Sequence, residues 1–134
     1  MTWIGIDPGK NTGIAAYDDK MRELTLVECL PIHRAMEAVL ELSGRTDVYV
    51  IFEDARQRTW FGERSAVKLQ GAGSVKRDCT IWEDFLSDKG IAFRAIPPVK
   101  GATKLTDQRF KMITRWTGRS NEHSRDAAML VFGR

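Results

Sequence analysis

Asp7, Glu53, His123 and Asp126 are the residues of this 134-residue chain whose types and positions could do chemistry together. Asp7 closes an apolar run, Trp3 to Ile6, and Pro8-Gly9 then turn the chain before a second apolar run, Gly13 to Tyr17. A carboxylate set against a core needs a backbone hydrogen bond or a metal, although Asp before Pro-Gly is also an ordinary hairpin residue. Glu53 ends a second, almost wholly apolar run, Asp47 to Glu53; it also stands where such a strand would reach solvent. His123 and Asp126 are three residues apart, one helical step, near the C-terminus. Asp126 could equally pair with Arg125 or Arg119, and His123 could simply start a helix. Gathered together, three carboxylates and an imidazole suit a hard divalent cation, Mg²⁺ or Mn²⁺, rather than zinc. Two such ions about 3.5–4 Å apart activate a water and stabilise the leaving oxygen at a phosphodiester. Bare carboxylates at contact repel, so an Asp7–Glu53 pair needs a metal or a shared proton.

The elements that must position these groups follow from periodicity. Alternation puts Trp3, Gly5 and Asp7 on one face of the first strand and Ile4 and Ile6 on the other. Glu23 to Leu30 forms a third strand of a meander, and Ile32, Met36, Val39 and Leu40 recur at helical spacing until Ser43-Gly44. The run to Glu53 suits a strand buried on both faces, with Tyr49, Ile51 and Glu53 on one side. Residues 56–73 form a loop entering a possible short helix. Val75, Cys79, Trp82 and Leu86 mark a long helix ended by Gly90. Ile91 to Ile96 is a short strand stopped by Pro97-Pro98. Thr106 caps a helix carrying Phe110, Ile113 and Trp116 or Thr117 and closed by Gly118. Asn121 caps the last helix, with His123, Asp126, Ala127 and Leu130 on one face. The order β-β-β-α-β-α-β-α-α predicts an α/β fold: a mixed five-stranded sheet, an antiparallel three-strand meander plus parallel strands, flanked by helices. If the first and fourth strands are neighbours, Asp7 and Glu53 meet at their ends.

Composition constrains the rest. One domain, 1–134, is expected at this length, with 43% hydrophobic and 29% charged residues. The net charge of +3 and pI near 9.0 permit an anionic partner. No apolar run approaches the roughly 20 residues of a membrane span, so no membrane partner is expected. Cys29 and Cys79 have no metal-type spacing, which points to buried thiols in a reducing compartment.

GIDPGKNTGIA, VIFEDA and EHSRDAAML, in this order, resemble the motif set of the RuvC family, Holliday junction resolvases of the RNase H-like superfamily, and the short chain is similar to its phage-type members. The resemblance spans essentially the whole chain. It implies an RNase H-like nuclease domain whose ligands fall on Asp7, Glu53, His123 and Asp126. Many members have Asp where this chain has His123, and an imidazole can also ligate a metal or act as a base. The resemblance further implies a homodimer that nicks two strands of a four-way DNA junction symmetrically. It implies Mg²⁺ or Mn²⁺, two ions per site, no small-molecule cofactor, and a cytoplasmic setting in a bacterial or phage-infected cell. It also makes Lys100 or Lys104 an active-site cation for transition-state charge, with Lys100 counted among the catalytic residues.

Junction DNA presents crowded phosphates and a breathable centre. Arg56, Arg58, Arg64, Lys68, Lys76, Arg77, Lys100 and Lys104 are candidate phosphate contacts, each alternatively a solvated surface charge. Trp60 and Phe61 lie in the same basic loop and could stack on or wedge between unpaired bases, or anchor the loop or a dimer contact. Phe61→Ala is expected to weaken cleavage more than junction binding; equal loss of both would refute a wedge that positions the scissile strand. Trp82, Phe85, Phe110 and Trp116 are expected in the core or a dimer surface, with the 75–86 helix as the dimer element on resemblance. Asp54, on the opposite strand face from Glu53, is expected to take no part. A flap or fork nuclease of the same fold, an RNA-processing relative and a non-catalytic junction-binding module are the competing functions.

Overall fold

Pro8 and Gly9 reverse the chain between β1 (Thr2–Asp7) and β2 (Asn11–Asp18), and the Thr12 hydroxyl closes that turn by donating to the Gly9 carbonyl at 2.8 Å. The computed structural model describes residues 1–57, 66–98 and 104–134, with residues 66–72 as helix without their side chains. Asp18 organises the next turn by accepting from the backbone N–H groups of Lys20 and Met21, and β3 (Glu23–Pro31) completes the antiparallel meander. Helix α1 (Ile32–Ser43) ends at Gly44, as its sequence indicates. β4 (Val48–Glu53) then adds to the far side of β1 in parallel, and β5 (Phe93–Ile96) adds to β4 in parallel. The sheet order is β3-β2-β1-β4-β5, a mixed five-stranded sheet as expected.

The two faces of this sheet bury different helices. Ile4, Ile6, Val50 and Phe52 pack with Ala35 and Val39 of α1 and with Cys79, Trp82 and Leu86 of α2 (Ala66–Asp88). Ala15, Tyr17 and Ile51 pack on the other side with Phe110 of α3 (Asp107–Thr114) and with Ala127, Ala128 and Val131 of α4 (Glu122–Val131). Trp82 and Phe110 are fully buried, so both are core.

The largest departures from the expected boundaries are at α2 and α3. The expected loop, short helix and 75–86 helix are, from Ala66 onward, one helix, α2. A glycine costs a helix only about 1 kcal/mol, and a helix anchored by the stripe from Val75 to Leu86 propagates through Gly71 and Gly73. Conversely α3 stops at Thr114, short of Trp116 and Gly118. The Thr114 hydroxyl donates to the Phe110 carbonyl at 2.8 Å and accepts from the Trp116 N–H at 3.2 Å. Arg115 then turns left-handed at φ 63°, so the local side-chain bonds outcompete another helical turn.

Candidate active site

Asp7 and Glu53 stand at the same level of neighbouring strands. The parallel register pairs Ile4 with Val50 and Ile6 with Phe52, so the next residues along each strand are the two acids. Alternation from Trp3 and Tyr49, which pack in the α4-side core, places both acids on the face that α4 covers. The Asp7 side chain is 17% exposed and Glu53 is half-buried.

Helix α4 reaches these acids because two glycines let it lie directly on the strands. A Cβ at Gly13 would sit 2.0 Å from the His123 carbonyl oxygen, and one at Gly5 would sit 2.0 Å from that of Ala127. The helix starts in register because Asn121 caps it: the Asn121 side chain accepts from the Ser124 N–H, and the Ser124 hydroxyl accepts from the Asn121 N–H, both at 2.9 Å. The buried face of α4 is Ser124, Ala127, Ala128 and Val131. His123 and Asp126 therefore flank the contact instead of lying in it as expected, which leaves both open to a ligand.

His123 Nδ1 lies 3.0 Å from Asp7 Oδ2. Asp126 Oδ2 accepts from the Lys104 ammonium, which also lies 3.7 Å from Glu122 Oε1. Burial raises the Asp7 pKa, opposed by the bond from His123 and reinforced by the charge of Asp126. Lys104 is held above its ordinary value although burial pulls it down, because Asp126 bonds it and Asp7 and Glu122 add negative charge. Arg125 is not the partner of Asp126; its Nε donates to the Leu105 carbonyl at 2.9 Å.

The structure thus bonds His123 to Asp7 and Lys104 to Asp126, and sets Glu53 level with Asp7 on the neighbouring strand. Lys76 and Arg77 are on α2, which packs on the opposite face of the sheet from α4. Lys68 lies on the same helix, its side chain undescribed. Arg56 is occupied by Asp54 and Glu83. Lys100, Arg58, Trp60, Phe61 and Arg64 fall outside the described residues. Glycines 5 and 13 escaped the sequence reading; the available signal was glycine inside a strand, a mark of close backbone approach.

Among the described residues no three His, Cys, Asp or Glu side chains converge on one point as a ready metal cage. The donor set nevertheless fits Mg²⁺. That ion keeps several waters and is usually held by one or two carboxylates together with substrate phosphates. A cation at Asp7 also answers the desolvation and like-charge repulsion that raise its pKa. Among the described residues, no helix is long and apolar enough to cross a membrane.

No protein-family model matches the sequence, and no curated protein is found similar to it. Among solved structures, the fold is similar to that of T. thermophilus RuvC in complex with a Holliday junction substrate, with a TM-score of 0.56 at 18% identity over 95% of this chain and 87% of that one. The chain therefore has the RuvC-type RNase H-like fold.

Proposed function

We propose that this protein is a metal-dependent endonuclease that nicks four-way DNA junctions symmetrically as a homodimer. The observation that carries the proposal is the level placement of Asp7 and Glu53 on adjacent parallel strands, under a helix that adds His123 and Asp126. Likeness to a solved junction-bound RuvC supports the choice of substrate.

Asp7, Glu53 and Asp126 would hold one or two divalent ions, and His123 would serve through Nε2 either as a further ligand or as a base. Mg²⁺ or Mn²⁺ supplies Lewis acidity at the phosphoryl oxygens and a more acidic water. The chain's own residues do the rest. The Asp7 carboxylate accepts from His123 Nδ1, which fixes the ring and leaves Nε2 as the nitrogen with a lone pair. That nitrogen can take a proton from a water attacking phosphorus. Lys104, held charged by Asp126, is placed to meet negative charge as it grows on the phosphate.

Lys104→Met keeps the alkyl stem and removes the ammonium. It is expected to slow single-turnover cleavage by about 10²–10³-fold, the usual cost of one charge-stabilising donor, with junction Kd changed little. A weakened Kd at an unchanged rate would make Lys104 a phosphate contact only. The function itself is tested by cleavage of a four-way junction beside linear duplex, flap and fork substrates in Mg²⁺ or Mn²⁺. Equal cutting of flaps or forks would keep the chemistry and overturn the substrate. Tight junction binding without cutting would leave a binding module.

A further inference from the structure

Behind Glu53, on the sheet face away from α4, lies a polar cluster that the proposed chemistry does not use. Asp54 is 3% exposed, and its carboxylate is surrounded by donors. Arg56 grips it with a fork, Nε to Oδ1 at 2.8 Å and Nη2 to Oδ2 at 2.9 Å. The Arg56 backbone N–H adds a third bond to Oδ1 at 3.0 Å, and Gln57 Nε2 a fourth to Oδ2 at 3.2 Å. The same guanidinium reaches α2, donating to Glu83 Oε2 at 2.7 Å and to Thr80 Oγ1 at 3.3 Å. Gln57 also donates to the Ala95 carbonyl of β5 at 3.2 Å, and the Asp54 N–H donates to the Ile96 carbonyl at 2.7 Å. The Cys79 thiol, pushed up to about 11 by burial and so protonated, lies 3.8 Å from the Glu53 carbonyl.

These bonds converge on one peptide stretch, the end of β4 that carries Glu53. An apolar strand end would normally fray where its ladder stops. Here β5, α2 and the 3₁₀ turn at Ala55–Gln57 are tied to it through Asp54 and Arg56. Arg56, counted from sequence among the phosphate contacts, has its fork spent inside the fold and is 27% exposed. A bidentate Arg–carboxylate pair fixes geometry in a way that a lysine's point charge does not.

We propose that Asp54 and Arg56 are positioning residues: their ion pair, tied to Glu83, fixes Glu53 at the active site, and Arg56 does not bind phosphate. The inference rests on the nuclease reading above.

The test compares Arg56→Gln and Arg56→Lys with wild type on one four-way junction. Kd is measured over a range of salt, and the single-turnover rate at saturating protein. A positioning role lowers the rate at saturation by tenfold or more, toward the about 10²-fold that a misplaced catalytic group costs, in both variants. Kd and the slope of log K against log salt stay as in wild type. A phosphate contact gives the reverse: weaker binding, a slope shallower by about one, an unchanged rate at saturation, and recovery in Arg56→Lys. That result, or no change at all, overturns the proposal. If Arg56→Gln melts out, Glu83→Gln removes only the α2 arm and is expected to slow cleavage less, at an unchanged salt slope; an unaffected rate counts against the proposal. If the wild-type protein cuts no branched DNA, the nuclease reading fails by itself. The anchor is then read from amide exchange at Asp54 and Gln57, which is faster in Arg56→Gln if the pair holds this strand end and unaltered if it does not.

Discussion

Gly13→Ala is expected to destabilise the protein by about 3 kcal/mol or more and to lower cleavage by at least about 10²-fold in what remains folded. The added methyl would lie 2.0 Å from the His123 carbonyl oxygen and 2.4 Å from its carbonyl carbon. Both are backbone atoms in the first turn of α4, so no side chain can swing away. The helix must retreat by more than about an ångström, and His123 retreats with it. Overpacking of an ordinary core costs about 1–3 kcal/mol because neighbouring side chains adjust; here the neighbour is a helix backbone held by its own hydrogen bonds. Thermal melting and single-turnover cleavage read the two effects. Gly73→Ala is the control. Its Cβ meets nothing within 4 Å, and alanine is the better helix former, so stability should rise. A Gly13→Ala protein that melts and cuts like wild type would mean that α4 does not rest on β2 in this way.

Asp7→Asn is expected to abolish cleavage, by on the order of 10³-fold or more, while junction binding persists. The loss follows from removing a carboxylate whose charge the chemistry uses and whose oxygen orients His123. The same substitution should raise the melting temperature at neutral pH without divalent cation. The sign follows from linkage. Burial raises the folded-state pKa of Asp7, so between the ordinary aspartate range and that raised value the native state binds more protons than the unfolded chain. Stability contributed at this position falls as pH rises through that window and stays low above it. Asn removes the cost of the buried charge. The difference between variant and wild type should therefore be present at pH 7 and close as pH drops into the ordinary aspartate range. A variant no more stable than wild type at pH 7 would mean that the bond from His123 fully compensates burial.

Much of the architecture is written in short-range pattern. Strand alternation groups Asp7 with Trp3 and Gly5, and Glu53 with Tyr49 and Ile51, because the side-chain period of a strand is two; that the two groups share a sheet face follows from the pairing of β1 with β4. The caps at Thr106 and Asn121 are equally local, each a side-chain oxygen accepting a nearby backbone N–H. What pattern does not carry is the contact between distant segments. Nothing near Gly5 or Gly13 announces Ala127 or His123, which lie more than a hundred residues away. The apolar residues of α4 suggest a face through Leu130, yet the glycines dictate that Ala127, Ala128 and Val131 face the sheet. Arg56 is similar. Its neighbours in sequence are rich in Arg, which favours a DNA contact, while Glu83, its partner on α2, is visible only in the fold. The Lys104–Asp126 pair likewise joins residues 22 apart and is visible only in the fold.

The most direct test of the central claim maps the cuts on an immobile four-way junction, each strand labelled in turn, with wild type and Asp7→Asn in Mg²⁺ or Mn²⁺. Paired nicks at symmetric positions on opposing strands, absent from linear duplex and absent with Asp7→Asn although it still binds, are the expected result. Unpaired cuts scattered over junction, flap and fork alike, or cutting that survives Asp7→Asn, would contradict a junction resolvase built on this carboxylate site.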